Sequence, residues 1–94
     1  MKKIYKYEIH PQMGGYFSLE LPVSVELVHT SVDNKTGIPC MWFEFNSEDE
    51  HDTDIRKFKL IPTGVEFDST NLSYVDTYLY GPFVWHIYEL LDSE

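Results

Sequence analysis

The sequence predicts an all-β fold, a small antiparallel sandwich or partly closed barrel of about seven strands. Three observations predict it. The closing third, Tyr74 to Leu90, consists of two aromatic and β-branched runs joined by Gly81-Pro82. That composition suits a pleated, half-buried surface. Apolar and polar residues alternate along most of the chain, and no stretch sustains the 3.6-residue period of a helix. The 94 residues form a single domain, residues 1–94, without linker, repeat or low-complexity tract.

The strands follow in order. Lys3–Ile9 alternates, with Tyr5, Tyr7 and Ile9 on one face and Lys6 and Glu8 on the other. His10 to Gly15 is rich in breakers and reads as a turn. In Tyr16–Leu21, Phe17, Leu19 and Leu21 point inward, and Pro22 ends the strand. Val23–Val32 carries two competing registers: Val25, Leu27 and His29 share one face, and Val28, Thr30 and Val32 share the other. Asp33 to Gly37 has the composition of a hairpin connection. Met41–Phe45 is nearly all apolar, as a central strand would be. Asn46–Asp54 is an exposed acidic loop, and Ile55–Ile61 alternates again, with Arg56, Phe58 and Leu60 opposite Lys57 and Lys59. We read Met41 to Ile61 as the clearest local hairpin. A short helical turn is expected near Asp68–Leu72 within the Pro62–Ser73 link.

Composition bounds the function. The formal net charge is −9, from 16 acidic against 7 basic residues. Such a field repels long nucleic acids and anionic membranes, so neither is an expected partner. No apolar run approaches the roughly 18 residues of a membrane span, and the basic start, Met1 to Tyr7, lacks the apolar region of a signal peptide. The expected location is the cytoplasm. Cys40 is the only cysteine, which rules out an internal disulfide, and its apolar neighbours make it a small buried hydrophobe.

No catalytic, metal or cofactor motif is present. The histidines, His10, His29, His51 and His86, have no ligand spacing, and no nucleophile or phosphate-loop motif occurs. Glu44, between Phe43 and Phe45, reads as the outward position of an alternating strand, and His86 as a hydrogen-bonded sheet residue. A binding protein is therefore expected, not an enzyme. Basic residues cluster near aromatics, and the candidate ligand residues are Lys3, Lys6, Trp42, Arg56, Lys57, Lys59, Thr63 and Gly64. Lysine and arginine would meet phosphate, the indole would stack on a base, and Thr63-Gly64 would offer N–H groups and a hydroxyl. Tyr78, Tyr80, Trp85 and Tyr88 are candidate anchors of a homo-oligomer interface.

Several blocks taken together resemble a family of small bacteriophage proteins. They are Ile4-Tyr5-Lys6-Tyr7, Glu20-Leu21-Pro22, Gly37-Ile38-Pro39-Cys40-Met41-Trp42, Arg56-Lys57-Phe58, Thr63-Gly64 and the closing Phe83-Val84-Trp85-His86-Ile87-Tyr88-Glu89. The chain departs from that pattern at Asp76, where the family has glycine, and at Val65, where it has histidine. A role needing that histidine does not carry over. The resemblance implies a phage origin, a compact β-rich fold and a host-cell cytoplasmic setting. It implies no activity.

Three functional readings stay open on the sequence. The first is a sponge that sequesters a cyclic oligonucleotide immune signal and so blocks antiviral defence. The second is an acidic module that docks on a host protein or mimics DNA through Glu48–Asp54. The third is a virion or assembly component.

Overall fold

A computed structural model describes residues 1–91. Seven strands form: β1 (Lys2–Glu8), β2 (Tyr16–Pro22), β3 (Glu26–Val32), β4 (Pro39–Asn46), β5 (Thr53–Pro62), β6 (Leu72–Tyr80) and β7 (Phe83–Leu90). They make two antiparallel sheets, one ordered β1-β4-β3 and the other β2-β5-β7-β6. The molecule is 19 Å through its thinnest dimension, as two stacked sheets require. The sheets do not close on each other, so the fold is a sandwich and not a barrel.

The alternation assigns the core. Phe17, Leu21, Met41, Phe43, Phe58, Leu60 and Ile87 are buried between the sheets, with Ile9 and Tyr78. Phe17 stacks on its cross-strand partner Phe58 with centroids 5.2 Å apart. Tyr7 meets Phe43 edge-on at 5.8 Å. Such pairs contribute about 0.5–1.5 kcal/mol beyond the area they bury.

The two registers of the third strand are both real. A bulge between Leu27 and His29 leaves Val28 outside, more than half exposed. It shifts the phase, so Leu27 before it and Val32 after it both pack on the core. Thr30 is carried inward by the same shift, and its Oγ1 is buried without a hydrogen-bond partner.

The turns follow their residues. Asp33 N–H donates to the Ile38 carbonyl at 2.9 Å, and the Asp33 carboxylate accepts from the Lys35 N–H at 2.8 Å, closing the β3–β4 hairpin. Gly81, at φ +60, takes the positive φ required at the first position of the two-residue β6–β7 turn.

Two expectations are corrected. Met41 to Ile61 is not a hairpin: β4 lies between β1 and β3, whereas β5 lies between β2 and β7. The acidic connection crosses from one sheet to the other, because each strand is central and needs two neighbours of its own. Asp68–Leu72 forms no helix. The Asp68 carboxylate accepts from the Thr70 N–H at 2.9 Å, and Leu72 N–H donates to the Ser69 carbonyl, giving a turn. The short 3₁₀ turns lie instead at Met13–Gly15 and Ser47–Asp49.

Candidate functional site

Strand pairing builds one row of side chains across the outer face of the four-stranded sheet. Tyr16 on β2 is opposite Lys59 on β5, Lys59 is opposite Tyr88 on β7, and Tyr88 is opposite Tyr74 on β6. Lys57 lies on the same face of β5, opposite Ser18. With strands about 4.8 Å apart, Tyr16 and Tyr88 are separated by about 10 Å, and Lys59 stands between them.

The side chains of the row pack on one another. Lys59 Nζ lies 4.9 Å from the Tyr16 ring centroid. Tyr88 is wedged between Tyr74, at 5.5 Å, and Phe67 of the β5–β6 link, at 5.1 Å. Tyr16 and Tyr74 keep exposed ring surface. Among the described residues neither Lys57 nor Lys59 has a carboxylate partner. A hollow of about 370 Å³ opens beside Lys59, with Asp68 and Thr70 on its wall. The Thr70 hydroxyl and N–H beside Asp68 hold its carboxyl below the usual range, so it is ionised at neutral pH.

A hydrogen-bonded chain borders the row. Tyr74 OH meets Thr77 Oγ1 at 2.6 Å, Thr77 Oγ1 meets His86 Nδ1 at 2.9 Å, and His86 Nε2 meets Thr63 Oγ1 at 2.7 Å. Thr63 Oγ1 donates to the Val84 carbonyl at 3.4 Å. One assignment satisfies every group. Nε2–H of a neutral His86 donates to Thr63, Nδ1 accepts from Thr77, and Tyr74 donates to Thr77. His86 is thus a hydrogen-bonded sheet residue, with both ring nitrogens engaged.

The predicted ligand residues divide. Lys57 and Lys59 share the outer face just described. Thr63 borders it, but its N–H donates to the Val84 carbonyl and its hydroxyl is occupied by His86, so neither is free for phosphate. Gly64 turns the chain at φ +91 and is exposed. Arg56 points to the other side of β5 and makes a two-pronged ion pair with Glu89, at 2.6 and 2.7 Å. Lys6 and Trp42 lie on the outer face of the three-stranded sheet, where they are cross-strand partners. Lys6 reaches over β4 to Asp33 at 2.7 Å, and Trp42 packs near His29. Lys3 is bound to Glu50 at 2.6 Å, and Tyr5 OH donates to the same carboxylate. These donors hold the Glu50 carboxyl below the ordinary carboxylate range.

The interface candidates also divide. Tyr78, Tyr80 and Trp85 line a cleft at one end of the sandwich, whereas Tyr88 belongs to the outer face. Tyr78 itself is a core residue. Glu44 faces outward on β4, 3.7 Å from Lys2. Cys40 is fully buried, its Sγ donates to the Ile38 carbonyl, and burial pushes its thiol up.

Sequence reasoning missed Tyr16, Tyr74 and Phe67 as parts of the Lys59 surface. Tyr16 and Lys59 were both legible as outward residues of alternating strands. Their adjacency was not, because it rests on the β2–β5 pairing between distant segments. Among the described residues no group of three or more metal-ligating side chains converges, and no helix is long and apolar enough to cross a membrane.

The family model described as "Domain of unknown function (DUF7352)" matches residues 1–94. The chain belongs to that family. No curated protein and no solved structure gives a significant match. The family therefore adds no activity to the geometry above.

Proposed function

We propose that the chain is a non-enzymatic binding protein that holds a nucleotide on the outer face of its four-stranded sheet. The observation that carries this reading is the row Tyr16–Lys59–Tyr88–Tyr74, with Lys57 beside it. In this reading Lys57 and Lys59 meet the phosphate and an exposed tyrosine stacks on the base. Stacking of this kind contributes roughly 1–3 kcal/mol per base. Asp68 accepts from the amino and ring N–H groups of a base, which favours guanine, whose adjacent donors suit a carboxylate.

The net charge of −9 selects for size. Repulsion from the acidic surface grows with each added phosphate, whereas direct lysine contacts are short-ranged and escape screening. A ligand of few phosphates fits that balance better than a long strand. A second copy facing the first would enclose such a ligand between two platforms. The resemblance to small phage proteins supplies the setting, a sponge that withdraws a cyclic oligonucleotide signal from a host's defence.

Thermal melting against linear and cyclic nucleotides tests the reading. A ligand at 100 times its Kd adds about 2.7 kcal/mol. In a domain of this size that raises Tm by roughly 10–20 °C. A large rise with one cyclic species, lost in the Lys57→Ala/Lys59→Ala double variant, is expected. No rise across the panel refutes the reading for those ligands.

A further inference from the structure

A second concavity lies away from the outer face. The β1–β2 link, the β3–β4 turn and the β6–β7 hairpin part at one end of the sandwich and leave a cleft of about 460 Å³ between the sheets. Its walls include Ile9, Ile38, Leu60, Phe83 and Trp85. Both the volume and the apolar lining match those of small-molecule sites.

One polar group in this cleft is left without work. Tyr78 lines it and is 5% exposed. Its hydroxyl has no hydrogen-bond partner among the described residues, and burial is the main reason its phenol is pushed up to about 12. Among those residues Thr30 Oγ1 is the only side-chain polar atom both sealed from solvent and unpartnered. The Tyr78 hydroxyl is therefore not sealed, and the cleft it lines is its route to a partner. An acceptor placed there takes the place of solvent at the hydroxyl and adds a direct bond. Tyr78 stays protonated at neutral pH and so acts as a donor.

We infer that the end cleft is a binding site for a small, neutral, ring-bearing molecule that accepts a hydrogen bond from the Tyr78 hydroxyl. Ring surface is indicated by Phe83 and Trp85, whose centroids lie 6.3 Å apart on one wall. Neutrality follows from the lining, which holds no Lys, Arg, Asp or Glu to pair with a charged ligand. Glu8 stands beside the cleft-lining His10, at 2.8 Å, and the chain as a whole is strongly acidic, so an anion is disfavoured. The site is independent of the Lys59 platform, which lies on the outer side of the four-stranded sheet.

The test uses acetophenone and cumene, two single-ring probes of similar shape of which only the first has an acceptor. Each is titrated into the full-length ¹⁵N-labelled chain and followed by amide and indole chemical shifts. Both probes should move Ile9, Gly37, Ile38 and the Trp85 indole N–H, and leave Trp42 in place. Tyr78→Phe removes only the hydroxyl. It should weaken acetophenone by roughly three- to tenfold and leave cumene unchanged, as expected for one hydrogen bond. Ile38→Trp, at a half-exposed position on the cleft wall, should abolish both and serves if Tyr78→Phe fails to fold. Three results overturn the inference. They are no cleft shifts at millimolar probe, equal effects of Tyr78→Phe on both probes, or cleft shifts that follow protein concentration without probe, which would mean a second copy fills the cleft.

Discussion

The outer faces of the two sheets carry similar numbers of lysines and use them differently. On the three-stranded sheet the lysines are matched. Lys2 lies 3.7 Å from Glu44, and Lys6 reaches Asp33 at 2.7 Å. Lys3, on the other side of β1, is held by Glu50. On the four-stranded sheet Lys59 lies over a tyrosine ring, and the described residues give it and Lys57 no carboxylate. Matched surface pairs contribute little to stability and present little field. Unmatched lysines among aromatics keep their charge available to a ligand. The same residue type is thus neutralised on one sheet and, among the described residues, left without a carboxylate on the other.

The largest expected effect breaks this comparison directly. Lys57→Ala with Lys59→Ala should weaken nucleotide binding on the order of 100-fold by calorimetry, the loss of two charge-assisted contacts. Lys2→Ala with Lys6→Ala should change it less than twofold. Equal losses from both pairs would mean that only overall charge matters.

Gly15→Ala attacks the four-stranded sheet from behind. Gly15 sits at φ +83, and an added Cβ would lie 2.8 Å from the Leu60 carbonyl oxygen, next to Lys59 on β5. Left-handed strain and a backbone clash together should cost about 2 kcal/mol or more in chemical denaturation. Gly37→Ala sharpens the point, because Gly37 has positive φ but open space around it, and it should cost less. The reverse order of costs would contradict the β2–β5 geometry.

Thr30→Val acts on the three-stranded sheet in the opposite direction. Replacing the orphaned Oγ1 with a methyl removes a desolvated polar atom and should stabilise the fold by about 1 kcal/mol. Destabilisation would show that this hydroxyl has a partner after all.

The smallest effect is the pH dependence contributed by the ion pairs of the matched sheet. Lys6 holds the Asp33 carboxyl below its ordinary 3.8, and Lys3 holds that of Glu50 below 4.5. Carboxyls depressed by folding stabilise the fold above those ordinary values, and the contribution is lost as pH falls through the depressed ones. The lysines are raised above 10.5, so their share is present below that pH and fades as pH rises past it. The two lysines are exposed and the two carboxylates lie at the surface only partly covered, so the effect is small and screened by salt. Melting between pH 5 and 3 should decline less steeply in Asp33→Asn/Glu50→Gln than in the parent. Parallel curves would show that these pairs do not couple to folding.

Local pattern carried much of this structure. Alternation placed Phe17, Leu21, Phe58 and Leu60 inward and Lys57 and Lys59 outward, because strand periodicity is read from neighbours in sequence. The doubled register of the third strand pointed to cover on both faces, and the structure resolves it instead with a bulge that turns residues of both phases to the core. Pairing between distant strands was not legible. Met41–Phe45 and Ile55–Ile61 look like adjacent hairpin arms, yet sheet membership is decided by which partners cover each face. The Lys59 row shows the same limit. Its members come from four strands, and only register brings them together. Trp42 and Arg56 looked equally suited to a ligand, but Trp42 lies on the opposite sheet and Arg56 is taken by Glu89.

The most direct test of the central claim is a chemical-shift map of the ¹⁵N-labelled chain titrated with cyclic and linear guanine and adenine nucleotides. Saturable shifts at Tyr16, Lys57, Lys59, Tyr74 and Tyr88, strongest for a guanine-containing ligand and absent from Lys6 and Trp42, are the predicted result. Nucleotide shifts centred on Lys6 and Trp42, or none on either face, would contradict the assignment of the four-stranded sheet as the binding surface.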